Sequence, residues 1–134
     1  MLYLTRKSRN MKKKANKAIP PASDALEIHK KVVLTYLNNV INHITTNIIV
    51  AKNTVSSDDV RYIFYFNVGW VGYDVEVFNN GESCDVVAYT LFGECVLDFK
   101  IPVESKMSGE LWEIARRVYN NDYHWVNEHK NDKV

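Results

Sequence analysis

Acidic residues are absent from the first 23 positions, although the chain holds 16 of them in 134 residues. The same stretch holds seven of the 17 cations, at Arg6, Lys7, Arg9, Lys12, Lys13, Lys14 and Lys17. A formal charge of +1 therefore hides a basic arm joined to a body in which ten cations face 16 acids, about −6. Cysteine is scarce as well. Two cysteines cannot build the disulfide framework that staples small secreted domains, and 134 residues with 46% hydrophobic content can bury a core without one. No apolar run reaches the roughly 18 to 20 residues of a membrane-spanning helix, so no membrane partner is expected. No glycine-rich phosphate loop and no G-x-S-x-G elbow occurs. His124 and His129 stand five apart, against the three or four that suit paired ligands on a helix. No cofactor, metal or catalytic residue is assigned, and no family motif is recognised.

What is present falls into zones. Residues 1–22 read as a flexible basic arm, closed by Pro20 and Pro21, which stop a helix from running through. Its acid-free composition also matches an organellar transit segment, but its hydrophobic face is thin. Residues 23–134 are expected to form one α+β domain. Asp24, with Glu27 three positions on, opens a helical pattern. Leu26, Val33, Leu37, Val40, Ile41, Ile44 and Ile48 then recur at three- and four-residue spacing along one stripe. The end of this helix is ambiguous, near Ile44 or as late as Lys52, because residues 45–50 are β-branched enough for a strand. Residues 53–59 read as a polar loop.

From 60 to 101 the hydrophobic period becomes two, and turn signals at Gly69-Trp70-Val71-Gly72, Asn80-Gly81 and Phe92-Gly93 divide the segment into four strands. Each turn predicts a register. Centring the last on Phe92-Gly93 pairs Thr90 with Cys95, Ala88 with Leu97, Val86 with Phe99 and Cys84 with Ile101. Centring the middle one on Asn80-Gly81 pairs Val77 with Cys84, Val75 with Val86 and Tyr73 with Ala88. The first, centred between Trp70 and Val71, pairs Phe66 with Val75 and Phe64 with Val77. All three give the same apolar face. After Pro102, Met107, Leu111, Ile114, Ala115 and Val118 form a second helical stripe, interrupted at Asn120-Asn121-Asp122. The expected fold is a two-layer α+β domain: an N-terminal helix, a four-stranded antiparallel meander and a C-terminal helix, with both helices packed on the face of Phe64, Phe66, Val75, Val86 and Leu97. In these registers Cys84 and Cys95 lie beyond disulfide reach and read as reduced core thiols of a cytoplasmic protein.

The opposite face would carry Tyr65, Asp74, Glu76, Phe78, Asp85, Tyr89, Glu94 and Asp98, with Asp85 opposite Lys100. Aromatic anchors beside charges of one sign make a protein-binding patch, whereas the plainer reading is an ordinary solvated sheet face. The expectation is a small non-catalytic binding or inhibitor protein whose partner is a protein with a basic surface. In size and style, though in no motif, it resembles the accessory proteins that phages and other mobile elements direct at host machinery. It would then act in the host cytoplasm on a nucleic-acid-handling or defence enzyme, its carboxylates standing in for phosphates. Two alternatives remain open. The arm could make a nucleic-acid-binding accessory protein that tracks phosphates without reading sequence, since no aromatic residue is interleaved to stack on bases. A small enzyme could be built near His124, Trp112, Trp125 and Tyr119. His29 and His43 are read as rim or solvated residues of the first helix.

Overall fold

The computed structural model describes residues 22–45 and 47–121. The basic arm, apart from Ala22, and the tail with His124, Trp125 and His129 lie outside the described residues. Helix α1 (Ala22–Ile41) begins two positions ahead of Asp24 and turns Val33, Leu37 and Val40 fully into the core. It stops earlier than either predicted end. His43 takes the left-handed conformation at φ +59, and its N–H donates to the Val40 carbonyl at 3.1 Å while the Ile44 N–H donates to the Asn39 carbonyl at 2.9 Å. Those paired bonds are a Schellman motif, which satisfies carbonyls that the helix end would otherwise leave bare. Ile44, assigned to the stripe, is therefore exposed, and Ile48 is buried ahead of a strand rather than on the helix.

The strands are β1 (Ile49–Ser56), β2 (Asp59–Val68), β3 (Val71–Val77), β4 (Ser83–Thr90) and β5 (Cys95–Pro102), followed by helix α2 (Ser105–Tyr119). They form one antiparallel sheet in the order β1-β2-β3-β4-β5. The α+β meander with a helix on either end is as predicted, but it has five strands rather than four. Residues 49–56, which the sequence leaves open between helix end and strand in their first part and reads as polar loop from 53, are the additional one. Their β-branched side chains suit a pleated edge, and Val50 pairs with Phe64 and Lys52 with Tyr62.

Two of the three predicted registers hold. Val75 pairs with Val86 and Tyr73 with Ala88, and Val86 pairs with Phe99 and Cys84 with Ile101. An irregularity after Ala88 sets Cys95 opposite Tyr89 instead of Thr90. The first hairpin differs by two positions: Phe64 pairs with Val75 and Phe66 with Tyr73. Its turn is centred on Gly69-Trp70, where Gly69 adopts φ +60, a conformation that glycine reaches without steric cost. A slip of two leaves each side chain on its own face. The predicted core therefore forms, with Tyr62, Phe64, Tyr73, Val75, Val77 and Val86 packed beneath Leu111, Ile114, Ala115 and Val118 of α2. Each such side chain contributes about 1.5–3 kcal/mol on burial.

Specific contacts fasten the helices. Trp112 Nε1–H donates to the Val60 carbonyl at 2.7 Å and its ring meets Tyr62 edge-on, with centroids 5.4 Å apart. Gly109 lets the β3–β4 turn sit against α2, since a Cβ there would lie 2.6 Å from Asn80 Oδ1. Under α1, Tyr36 stacks on Phe66 at 3.7 Å and Phe66 on Tyr73 at 5.0 Å, and the Tyr73 hydroxyl lies 2.7 Å from His29 Nδ1. His29, expected at a solvated rim, is a buried core residue, and desolvation lowers its pKa.

Candidate functional site

The face away from the core runs in cross-strand rows. Ile49, Tyr65, Asp74, Val87 and Asp98 stand in one row, and Ala51, Ile63, Glu76, Asp85 and Lys100 stand in the next. The predicted residues are thus brought together, with Glu94 in the turn before β5. The face is not open at its centre, however. Asp74 is 4% exposed, Glu76 6% and Tyr89 4%. Each acid lies on the middle strand, Asp74 between Tyr65 and Val87 and Glu76 between Ile63 and Asp85. The Tyr89 ring lies against β3 at Gly72, where a Cβ would sit 2.5 Å from the ring. Tyr65, Phe78, Asp85 and Asp98 are half-buried, and of the eight only Glu94 is exposed. An open acidic patch is therefore corrected to a largely closed one.

Its charges are also engaged by the sheet. Asn53 Nδ2–H donates to Glu76 Oε2 at 2.8 Å, and Lys100 Nζ donates to Asp85 Oδ1 at 3.0 Å, the cross-strand pair that the register predicts. Glu76 and Asp85 stand directly opposite each other, so Asn53 and Lys100 relieve a like-charge pair from either side. Arg61 forks onto Asp59 through Nε at 3.1 Å and Nη2 at 2.7 Å, and its guanidinium sits 4.7 Å from the Phe78 centroid. The hydrogen bond from Arg61 holds the Asp59 carboxyl below the usual carboxylate range. Exposed pairs of this kind contribute little, so their effect is to orient side chains more than to stabilise the fold.

The most exposed large apolar side chains lie instead at one end of the sheet. Trp70, in the β2–β3 turn, is 75% exposed and Phe92, in the β4–β5 turn, is 86% exposed, with Val68 beside them at 52%. The Leu91 N–H donates to the Trp70 carbonyl at 3.0 Å, which ties the two tips side by side. Next to Val68, a groove of about 320 Å³ runs along α1, lined by Lys31, Val32, Thr35, Tyr36 and Asn39. Sequence reasoning treated Trp70 and Phe92 only as turn markers. Their signal was a bulky aromatic ring where turns ordinarily carry Gly, Asn, Asp or Pro.

Other candidates are accounted for by packing. The described part of the C-terminal aromatic cluster is Trp112 and Tyr119 against Tyr62, with Lys52 Nζ 5.8 Å from the Tyr119 ring centroid. A recess of about 430 Å³ between the helices is lined by Ile41, His43, Asn79, Asn80, Lys106 and Glu113. Glu113 accepts from Arg116 and Arg117, and the Arg116 contact holds its carboxyl low. Cys84 is a free buried thiol, pushed up to about 12 by burial and by the neighbouring charge of Asp85. Among the described residues no group of three or more His, Cys, Asp or Glu is placed to hold a metal, and no helix is long and apolar enough to cross a membrane. The arm's seven cations lie outside the described residues. In comparisons with known proteins, no family model, no curated protein and no solved structure matches this chain.

Proposed function

We propose that this chain is a small non-catalytic binding protein that engages a protein partner through the hairpin-tip end of its sheet, with Trp70, Phe92 and Val68 as anchors. The observation that carries the reading is the exposure of two large aromatic side chains on turns bonded to each other. Tryptophan is among the residues that dominate binding energy, and anchors held on tied turns lose little freedom when a partner closes over them. Glu94, exposed beside Phe92, and the half-buried Asp98 on β5 favour a partner with basic groups around an apolar recess. The phosphate-surrogate role is not carried forward, because Asp74 and Glu76 are too buried to enter a groove. Blocking or modulating a host nucleic-acid-handling or defence enzyme in the cytoplasm is the form of this activity that suits a small chain with a reduced buried thiol.

The test is affinity capture from the native host, comparing the full chain with a Trp70→Ser/Phe92→Ser variant. A partner held by the first should bind the variant about 30-fold or more weakly, the loss that one strong anchor supplies, while the melting temperature stays unchanged. Undiminished capture by the variant would overturn the proposal. The second reading, nucleic acid held by the arm, rests on its seven acid-free cations. It requires that deleting residues 1–17 abolish a steeply salt-dependent DNA or RNA shift.

A further inference from the structure

Strand β1 forms one edge of the sheet, and among the described residues no strand lies on its outer side. An edge strand presents a row of N–H and C=O groups that readily pair with another strand. The opposite edge is guarded: β5 carries Asp98 and Lys100, ends at Pro102 and adjoins the irregularity after Ala88. β1 has eight residues without proline or glycine, and its one charge is Lys52. Ile49 and Val55, near its two ends, are each 56% exposed. The irregularity in its pairing with β2 falls only after Thr54.

Around Lys52 the strand reads nearly alike in both directions. Ile49 and Val55 are aliphatic and equally exposed, Val50 and Thr54 have the same branched shape, and Ala51 and Asn53 are the small flanking pair. Ile49, Ala51 and Asn53 share the face of Tyr65, Ile63 and Arg61, whereas Val50, Lys52 and Thr54 share the face of the helices. A two-fold axis normal to the sheet keeps each side chain on its own face. Antiparallel overlap of residues 49–55 with the same residues of a second copy then sets Ile49 beside Val55, Val50 beside Thr54, and Lys52 beside Lys52. The cost is the repulsion of the two ammonium groups. The Tyr119 ring, 5.8 Å from Nζ within each copy, provides a cation–π site on the helix side.

We propose that β1 pairs antiparallel with β1 of a second copy of this chain, extending the two sheets into one across a two-fold dimer. This surface is separate from the hairpin tips, so the two readings fail independently. The test is sedimentation of the full chain at rising concentration, together with native mass spectrometry of a one-to-one mixture of the wild type and a mass-tagged Lys52→Glu variant. The wild type should sediment at twice the chain mass. Val55→Lys, a change at an exposed position, should leave a folded monomer whose melting temperature no longer rises with protein concentration. In the mixture, the heterodimer should exceed the statistical half, because it alone sets a glutamate against a lysine. A wild type that stays monomeric at its highest soluble concentration overturns the proposal, even if its edge accepts a strand from another protein. A heterodimer fraction that stays at one half overturns it as well. Should Val55→Lys fail to fold, the mixing result decides alone.

Discussion

His29 Nδ1 and the Tyr73 hydroxyl meet at 2.7 Å inside the core, joining the first helix to the middle strand across 44 positions of sequence. Burial disfavours the imidazolium, so the folded pKa lies below the ordinary value of 6.5. Between those two values the unfolded chain binds the proton that the folded chain refuses. This contribution to stability is therefore whole above pH 6.5 and is lost as the pH falls through the lowered folded value. Thermal denaturation from about pH 7.5 down to about pH 5 should show a falling midpoint, and His29→Gln should flatten that part of the profile. An unchanged slope in the variant would assign the effect to other groups.

Gly109 and Asn80 make a second testable pair. Glycine within a helix costs about 1 kcal/mol relative to alanine, so Gly109→Ala on an open surface would be stabilising. Here the new Cβ would meet Asn80 Oδ1 at 2.6 Å, and the Asn80 carboxamide would have to turn aside. Gly109→Ala alone should therefore gain less than that. Combined with Asn80→Gly, which removes the carboxamide and accommodates the φ of +58, it should recover the full gain. Chemical denaturation of the four chains in a cycle should give a coupling of about 1 kcal/mol or more; additivity would rule the contact out.

His43 ends α1 in a conformation that costs most for β-branched residues. Replacement by asparagine, which tolerates the left-handed region, should leave the chain about 1–2 kcal/mol more stable than His43→Val, both variants lacking the imidazole. Equal melting temperatures for the two variants would mean that the helix end is not set by this residue.

That helix end also shows what the sequence could carry. The stripe of α1 continues by coincidence through Ile44 and Ile48 at spacings of four, and the stop at His43 lacks the glycine that would have marked it. The first strand was left undecided against a longer helix as a result. The second and third hairpins were legible because their turn positions and their alternation agree on one register. In the first hairpin, two turn centres give the same alternation two residues apart, and only the left-handed φ of Gly69 decides between them. The site followed the same division. Alternation places Asp74, Glu76 and Tyr89 on one face, but whether they reach water depends on neighbours in other strands, which a period of two does not encode. Trp70 and Phe92 needed no periodicity, only notice of bulky rings in turns.

The strand order has a consequence for how the chain folds. Each strand pairs with the one synthesised just before it, so the sheet closes only short loops and each hairpin can form before the next has left the ribosome. Closing over the core must wait for α2, the last described element. Until then, the underside formed by Phe64, Val75 and Val86 has only α1 to cover it. A nascent chain stalled before residue 105 would carry a complete sheet with part of its greasy face open, and at that stage it would depend most on a chaperone.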